Sequence, residues 1–135
     1  MKVDGKDIRT IWLDEHEKMV KIIDQRKLPH ELAIVNLKTV DDAIKAIKDM
    51  YVRGAPLIGV TGAYAVYLAA LNAPGGKSDK DYLQHEARRI ISARPTAVNL
   101  AWGVERVLSE ILTISDPAKI IDSAKNISRP ITQLA

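Results

Sequence analysis

The fold is decided by one long apolar stretch, Ala55-Pro56-Leu57-Ile58-Gly59-Val60-Thr61-Gly62-Ala63-Tyr64-Ala65-Val66-Tyr67-Leu68-Ala69-Ala70-Leu71. It contains no charged residue, and proline is tolerated in the first turn of a helix, so it predicts a helix from about Ala55 to Asn72. A helix that is apolar on all sides belongs in the middle of a bundle. The apolar run from Leu57 onward is shorter than the ~20 residues that span a bilayer, and Gly59 and Gly62 interrupt it.

Four further helices are expected around this central one. Their predicted starts and approximate ends are Thr39 to Tyr51, Ser78 to Ser92, Thr96 to Leu112, and Asp116-Pro117 to Asn126. Ser, Thr and Asp are the side chains that cap helix N-termini by accepting hydrogen bonds from first-turn N–H groups. The break before Thr96 follows from Arg94-Pro95, because the residue before proline avoids helical geometry.

The first 38 residues favour strands. Residues with high β-propensity are concentrated in Arg9–Leu13, Met19–Asp24 and Glu31–Leu37. The polar residues 14–18 suit a hairpin loop between the first two strands. We therefore predict an α+β fold, in which a small antiparallel β-meander subdomain (1–38) is followed by an α-helical bundle subdomain (39–135).

Composition excludes several kinds of function. The 135 residues carry a net charge of only +3, with acidic and basic residues interspersed, which argues against a nucleic-acid partner. The sequence has no cysteine, so disulfides, thiolate metal sites and a cysteine nucleophile are excluded. His16, His30 and His85 lack metal-ligand spacing, and we expect no metal and no cofactor. The charged N-terminus lacks the apolar segment of a signal peptide, so we expect a cytoplasmic protein with no membrane partner.

Two arginines stand just before predicted helix starts, in Val52-Arg53-Gly54-Ala55-Pro56 and in Ala93-Arg94-Pro95-Thr96. The planar fork of an arginine matches a phosphate or carboxylate, and a helix N-terminus adds free N–H groups and partial positive charge. Gly54 lets a ligand approach the backbone. Each arginine alone is more often part of a surface salt bridge. Together, if they converge on one anion, they indicate a site for a phosphorylated small molecule.

The remaining candidates are weaker. Asn99 either donates to the same ligand or is a buried amide bonded to backbone. Asp24 is expected to be structural, within a strand beside Gln25 and Arg26. The aromatic residues expected in the core are Trp12, Trp102, Tyr64 and Tyr67. The sequence shows no convincing general base and no nucleophile, so the residues by themselves indicate binding and no catalysis.

The same motifs resemble those of the methylthioribose-1-phosphate isomerase family. The segments that carry the resemblance are Ile11-Trp12-Leu13, Ile22-Ile23-Asp24-Gln25-Arg26-Lys27-Leu28-Pro29, Val52-Arg53-Gly54-Ala55-Pro56-Leu57-Ile58-Gly59 and Arg94-Pro95-Thr96-Ala97-Val98-Asn99-Leu100-Ala101-Trp102. The resemblance extends to about residue 112, and the last two segments are specific. Ribose-1,5-bisphosphate isomerases and regulatory subunits of a translation-initiation exchange factor are similar in architecture, but they resemble the segment after Arg94 less well.

The resemblance implies an aldose–ketose isomerisation in methionine salvage, from 5-methylthioribose 1-phosphate to 5-methylthioribulose 1-phosphate. It assigns substrate binding to Arg53, Gly54, Ala55 and Arg94. The family's catalytic Cys and Asp lie in a C-terminal Rossmann-like domain that this sequence lacks. We therefore expect a substrate-binding part that contains no catalytic residue, is inactive alone, and works with a C-terminal catalytic domain or a split partner.

The alternative is a non-catalytic regulatory or protein-interaction module related to the exchange-factor subunits, in which both arginines contact protein. Under either hypothesis, apolar surface that a partner would cover is exposed in the isolated chain. We therefore expect a homo-oligomer, formed by self-association or by domain swapping through the C-terminal segment.

Overall fold

The computed structural model describes residues 2–3, 6–7, 11–14, 16, 18–27, 30, 33–52, 55–73, 80–114 and 119–124. Three strands of the described part, β3 (Ile11–Asp14), β4 (Met19–Ile23) and β5 (Ile34–Leu37), form an antiparallel sheet in the order β3-β4-β5. The predicted meander is therefore confirmed. A short hairpin of β1 (Lys2–Val3) and β2 (Lys6–Asp7) precedes it and was not expected from the sequence.

The register of the sheet places its apolar residues on one core. Ile11 of β3 pairs with Ile22 of β4, and Val20 pairs with Leu37 of β5; all four side chains are buried. One prediction is corrected here: Asp24 lies just after the end of β4 and not within it, because β4 ends at Ile23.

The helices of the described part are α1 (Val40–Lys48), α2 (Ala55–Leu71), α3 (Lys80–Ser92) and α4 (Val98–Ile111), and residues 119–124 are also helical. Thr39 caps α1 as predicted. Its hydroxyl accepts from the N–H of Asp42 at 3.2 Å, and the Asp42 carboxylate accepts from the N–H of Thr39 at 3.2 Å. The predicted caps at Ser78 and at Asp116-Pro117 lie outside the described residues.

Helix α2 is the centre of the bundle, as its composition predicts. Every residue from Leu57 to Ala70 is buried. Thr61 is a buried residue of α2 with an aliphatic hydroxyl. This hydroxyl donates to the Leu57 carbonyl oxygen at 2.8 Å, so its hydrogen bond is satisfied inside the helix. Side chains from the sheet and from all four helices contribute to one core. The boundary between two subdomains at residue 38 stays a prediction.

Polar contacts also join the helices to one another. The Tyr82 hydroxyl of α3 donates to the Ala69 carbonyl oxygen of α2 at 2.8 Å. Arg89 of α3 pairs with Asp41 at the start of α1.

No helix in the described ranges is long and apolar enough to cross a membrane.

Helices α2 and α4 cross with their backbones in contact. A methyl group at Gly59 would lie 2.8 Å from the Asn99 carbonyl oxygen, and one at Gly62 would lie 2.7 Å from Cδ1 of Leu100. A methyl group at Gly103 would overlap the backbone of Gly59. The crossing therefore depends on the absence of side chains at Gly59 and Gly103, where the closest atoms belong to the backbone of the facing helix.

Candidate functional site

Arg94 lies in a tight turn between α3 and α4. Its carbonyl oxygen accepts from the N–H of Ala97 at 3.0 Å, which closes a four-residue turn with Pro95 at the second position. Proline is favoured there because its fixed φ matches the turn. The Arg94 side chain is half-buried, and it forms no hydrogen bond or ion pair within the described part of the chain. The turn therefore presents a guanidinium whose donors are not used by the described residues.

The N-terminus of α4 is uncapped, which corrects the prediction for Thr96. The N-cap is Ala97, which has no side-chain acceptor, and the first turn of α4 contains no acidic residue. Thr96 is one residue too early to cap the helix, because the turn closed by Ala97 places it outside. The N-terminus of α1, by contrast, is satisfied by Thr39 and by two acidic residues in its first turn. The positive end of the α4 dipole is therefore compensated neither by a capping side chain nor by an acidic residue in the first turn of the helix.

The starts of α2 and α4 lie close together. Gly59 contacts Asn99, the second residue of α4. Ala55, the first residue of α2, precedes Gly59 by four residues, or about 6 Å along a helix axis. Both N-termini therefore lie within about one helical turn of the crossing. Helix α2 also has no acidic residue in its first turn.

Of the four predicted site residues, the structure places Ala55 at the first position of α2 and Arg94 in the turn before α4. Arg53 and Gly54 lie outside the described residues. Asn99 is exposed, so the alternative of a buried amide is wrong.

An apolar surface lies beside the start of α4. Val98 is 79% exposed and Trp102, one turn later on the same face, is 49% exposed. The prediction that Trp102 belongs to the core is therefore wrong. The core positions of α4 are Leu100, Val104, Val107 and Ile111, and this helical spacing leaves Trp102 on another face. The aromatic residues Tyr64 and Tyr67 of α2 are buried as predicted.

A half-buried ion pair at the end of β4, between Asp24 and Arg26, was not recognised in the sequence. The Asp24 side chain is 2% exposed. Its carboxylate accepts from Nε of Arg26 at 3.0 Å, from Nη2 at 2.8 Å, and from the backbone N–H of Arg26 at 3.0 Å. These hydrogen bonds hold the pKa of Asp24 below its ordinary value, and they outweigh burial, which acts in the opposite direction. Asp24 is thus structural, as expected, and its partner is fixed by a two-pronged contact.

The described part of the chain offers no cluster of three or more His, Cys, Asp or Glu residues that could hold a metal ion. His16, His30 and His85 are all exposed. An arginine with unused donors and helix N-termini without acidic first turns are groups of the kind that bind anions.

Comparison with known proteins gives relatives over nearly the whole chain. Methylthioribose-1-phosphate isomerase of Desulfatibacillum aliphaticivorans is 50% identical over 134 residues, which is 98% of this chain and 36% of that protein. The protein of the same name from Desulfosudis oleivorans is 51% identical over 121 residues, 90% of this chain and 33% of that protein. The chain spans about a third of the length of these curated relatives.

Two solved structures share the fold. The delta subunit of translation initiation factor eIF-2B from A. fulgidus superposes with a TM-score of 0.86 at 33% identity, covering 95% of this chain and 37% of that one. The 5-methylthioribose 1-phosphate isomerase of Pyrococcus horikoshii gives 0.79 at 30% identity, covering 93% and 36%. The family model described as the Initiation factor 2 subunit family matches residues 51–135, which is more than half of the sequence, and the chain belongs to this family.

Proposed function

We propose that the chain is the substrate-binding N-terminal part of a sugar-phosphate aldose–ketose isomerase that converts 5-methylthioribose 1-phosphate to 5-methylthioribulose 1-phosphate in methionine salvage. The observation that carries this proposal is the close approach of the starts of α2 and α4, neither with an acidic first turn. Arg94 lies in the turn that leads into α4, and its guanidinium forms no hydrogen bond or ion pair with the described residues. The names of the relatives at 50% and 51% identity supply the substrate.

A phosphate ester suits this arrangement for an electrostatic reason. Each helix N-terminus carries about half a positive charge and free N–H donors, and Arg94 adds a full charge with a fork that matches phosphate oxygens. Arg53, Gly54 and Ala55 complete the proposed site from the α2 side. The loss of one charged hydrogen bond costs about 1.5–3 kcal/mol, so Arg94→Ala should weaken binding of the ester roughly 10- to 150-fold.

The chemical step is assigned to a separate catalytic domain. The sequence has no cysteine, and the described residues offer no candidate base near the two helix starts. We propose that the chain alone is inactive. The test is a chimera in which this chain replaces the matched third of the D. aliphaticivorans isomerase. The chimera should isomerise the substrate, whereas turnover by the lone chain would contradict the proposal.

Two further variants separate binding from folding. Ala97→Asp supplies the missing cap of α4, so it should stabilise the helix by about 0.5–1 kcal/mol while placing a carboxylate where the phosphate is proposed to bind. In the chimera, this variant should melt at a higher temperature and bind the ester more weakly. Arg106→Ala, which removes an exposed arginine on the same helix, is the control and should leave binding unchanged. Equal binding by Ala97→Asp and the unsubstituted chimera would refute the site.

The second candidate is a non-catalytic interaction module. The observation in its favour is the TM-score of 0.86 with the eIF-2B delta subunit. Titration calorimetry with 5-methylthioribose 1-phosphate distinguishes the two functions. Binding by the chimera that is lost in Arg94→Ala supports the isomerase, and a chimera that binds no phosphate ester supports the interaction module.

A further inference from the structure

Tyr51, which follows α1, is held by a residue outside the helices. The guanidinium of Arg26, oriented by Asp24, lies over the ring of Tyr51 at 3.9 Å from its centroid. A cation in this position is attracted by the negative face of the ring. The N–H of Gln25, in the same turn, donates to the carbonyl oxygen of Tyr51 at 2.8 Å. We call Asp24, Arg26 and Tyr51 the Arg26 clamp.

The backbone around Tyr51 is fixed from the α1 side as well. The N–H of Tyr51 donates to the Ala46 carbonyl oxygen at 2.9 Å, and that of Met50 donates to Ile47 at 3.3 Å. This is the Schellman pattern of helix termination, and Met50 takes the left-handed conformation that it requires, with φ of 62°. Val52, the next residue, is completely buried. Both polar groups of the Tyr51 backbone are thus bonded, and the following side chain is anchored in the core.

We propose that Arg26 is a positioning residue, and that the Arg26 clamp fixes the start of the segment that carries Arg53 and Gly54 for binding of the phosphorylated ligand. The inference rests on the proposed function. Consecutive Cα atoms are 3.8 Å apart, so Arg53 lies one peptide bond from anchored Val52. On the other side, Ala55 begins the helix whose glycines lock it against α4.

Arg26 in the clamp differs from an arginine that binds phosphate and from an arginine in an ordinary surface ion pair. Two donors of Arg26 are bound to Asp24 and its face is covered by Tyr51, so its polar contacts are directed into the protein. A pair with a 45% exposed arginine contributes little to global stability. We expect the Arg26 clamp to act locally instead. A binding segment that is already held in place loses less conformational entropy when the ligand binds.

Hydrogen exchange tests the clamp without any ligand. Arg26→Lys keeps the charge but loses the fork and the stacked plane. It should speed amide exchange of Gln25, Met50 and Tyr51, whose N–H groups are hydrogen-bonded around the clamp, about tenfold. Tyr51→Leu should do the same, whereas Tyr51→Phe keeps the ring and should exchange like the unsubstituted chain. Arg106→Lys is the matched control, because Arg106 is 47% exposed and also pairs with a carboxylate. Unchanged exchange in Arg26→Lys would overturn the clamp, whatever the protein binds.

Kinetics of the chimera test the consequence for binding. In Arg26→Lys, KM for 5-methylthioribose 1-phosphate should rise about tenfold while kcat changes less than about threefold, and Tyr51→Phe should retain the original KM. Faster exchange with an unaltered KM would overturn the positioning role. A chimera without turnover refutes the proposed function instead, and the exchange measurement alone then decides the clamp.

Discussion

The crossing of α2 and α4 makes Gly103→Ala the most informative single substitution. The new methyl group would lie 2.8 Å from the carbonyl carbon and 3.1 Å from Cα of Gly59, and closer still to its oxygen. Ordinary contacts of this kind begin at about 3.4 Å. All three neighbours are backbone atoms, so no side chain can rotate away, and relief of the contact with the Gly59 oxygen requires the two helices to separate by about 1 Å.

The magnitude follows from two opposing effects. Overpacking of this kind costs about 1–3 kcal/mol and sometimes more, and a gap of about 0.5–1 Å along the crossing removes a quarter to a half of its dispersion energy. Alanine regains about 1 kcal/mol of helix propensity over glycine. Because all three neighbours are backbone atoms, we expect overpacking and lost dispersion energy to cost about 3–4 kcal/mol together, which leaves a net loss of about 2–3 kcal/mol in the free energy of unfolding. For a domain of this size that lowers Tm by roughly 8–12 °C.

The matched control is Gly62→Ala on the facing helix. There the nearest atom is Cδ1 of Leu100, the end of a flexible side chain, at 2.7 Å. Rotation of Leu100 relieves much of the overlap, so the change should stay within about 1 kcal/mol. Urea unfolding followed by circular dichroism measures both variants. Unfolding of Gly103→Ala at the same urea concentration as the unsubstituted chain would contradict this prediction, and so would an equal loss of stability in Gly62→Ala.

Three further predictions follow from other parts of the fold. Met50→Gly should stabilise the chain by about 0.5–1 kcal/mol in urea unfolding, because glycine avoids the left-handed strain that exceeds its entropic penalty; Met50→Ala, which keeps that strain, should not. Since the pKa of Asp24 lies below its ordinary 3.8 in the folded chain, the unfolded chain binds more protons as acid is added. The contribution of the Asp24 carboxylate to the free energy of unfolding is therefore complete above pH 3.8 and is lost as the pH falls through the lower pKa of the folded chain. Asp24→Asn should flatten this acid dependence, measured as the urea midpoint. Trp102→Ser should reduce self-association in light scattering, and a strictly monomeric unsubstituted chain at high concentration would contradict this.

The parts of the fold that could be predicted from the sequence are those set by local chemistry. The meander follows from β-branched segments separated by polar turns, and the N-terminus of α1 follows from Thr39, whose hydroxyl is a recognisable cap. Helix α2 is identified by composition alone. The start of α4 was misplaced because Ala97 carries no side-chain signal for a cap.

The candidate site was only partly predictable for a similar reason. Arginine next to a proline turn indicates an anion site, and Arg94 has that setting in the structure. The spacing of the apolar residues in α4 predicts that Trp102 is exposed, whereas the general preference of tryptophan for the interior predicts a core position. The structure agrees with the spacing. The contact between Arg26 and Tyr51 joins residues that are far apart in sequence, and no local pattern indicates which distant segments will meet.

The complete burial of α2 has a consequence for synthesis of the protein. The helix ends at Leu71, but α4, which covers it, ends only at Ile111. At about 5–20 residues per second, translation of those forty residues takes roughly 2–8 s. During that interval the nascent chain carries a wholly apolar helix with an incomplete cover, which is the kind of segment that chaperones bind. A substitution that delays docking of α4 should therefore lower the yield of folded protein in the cell before it affects any property of the molecules that do fold.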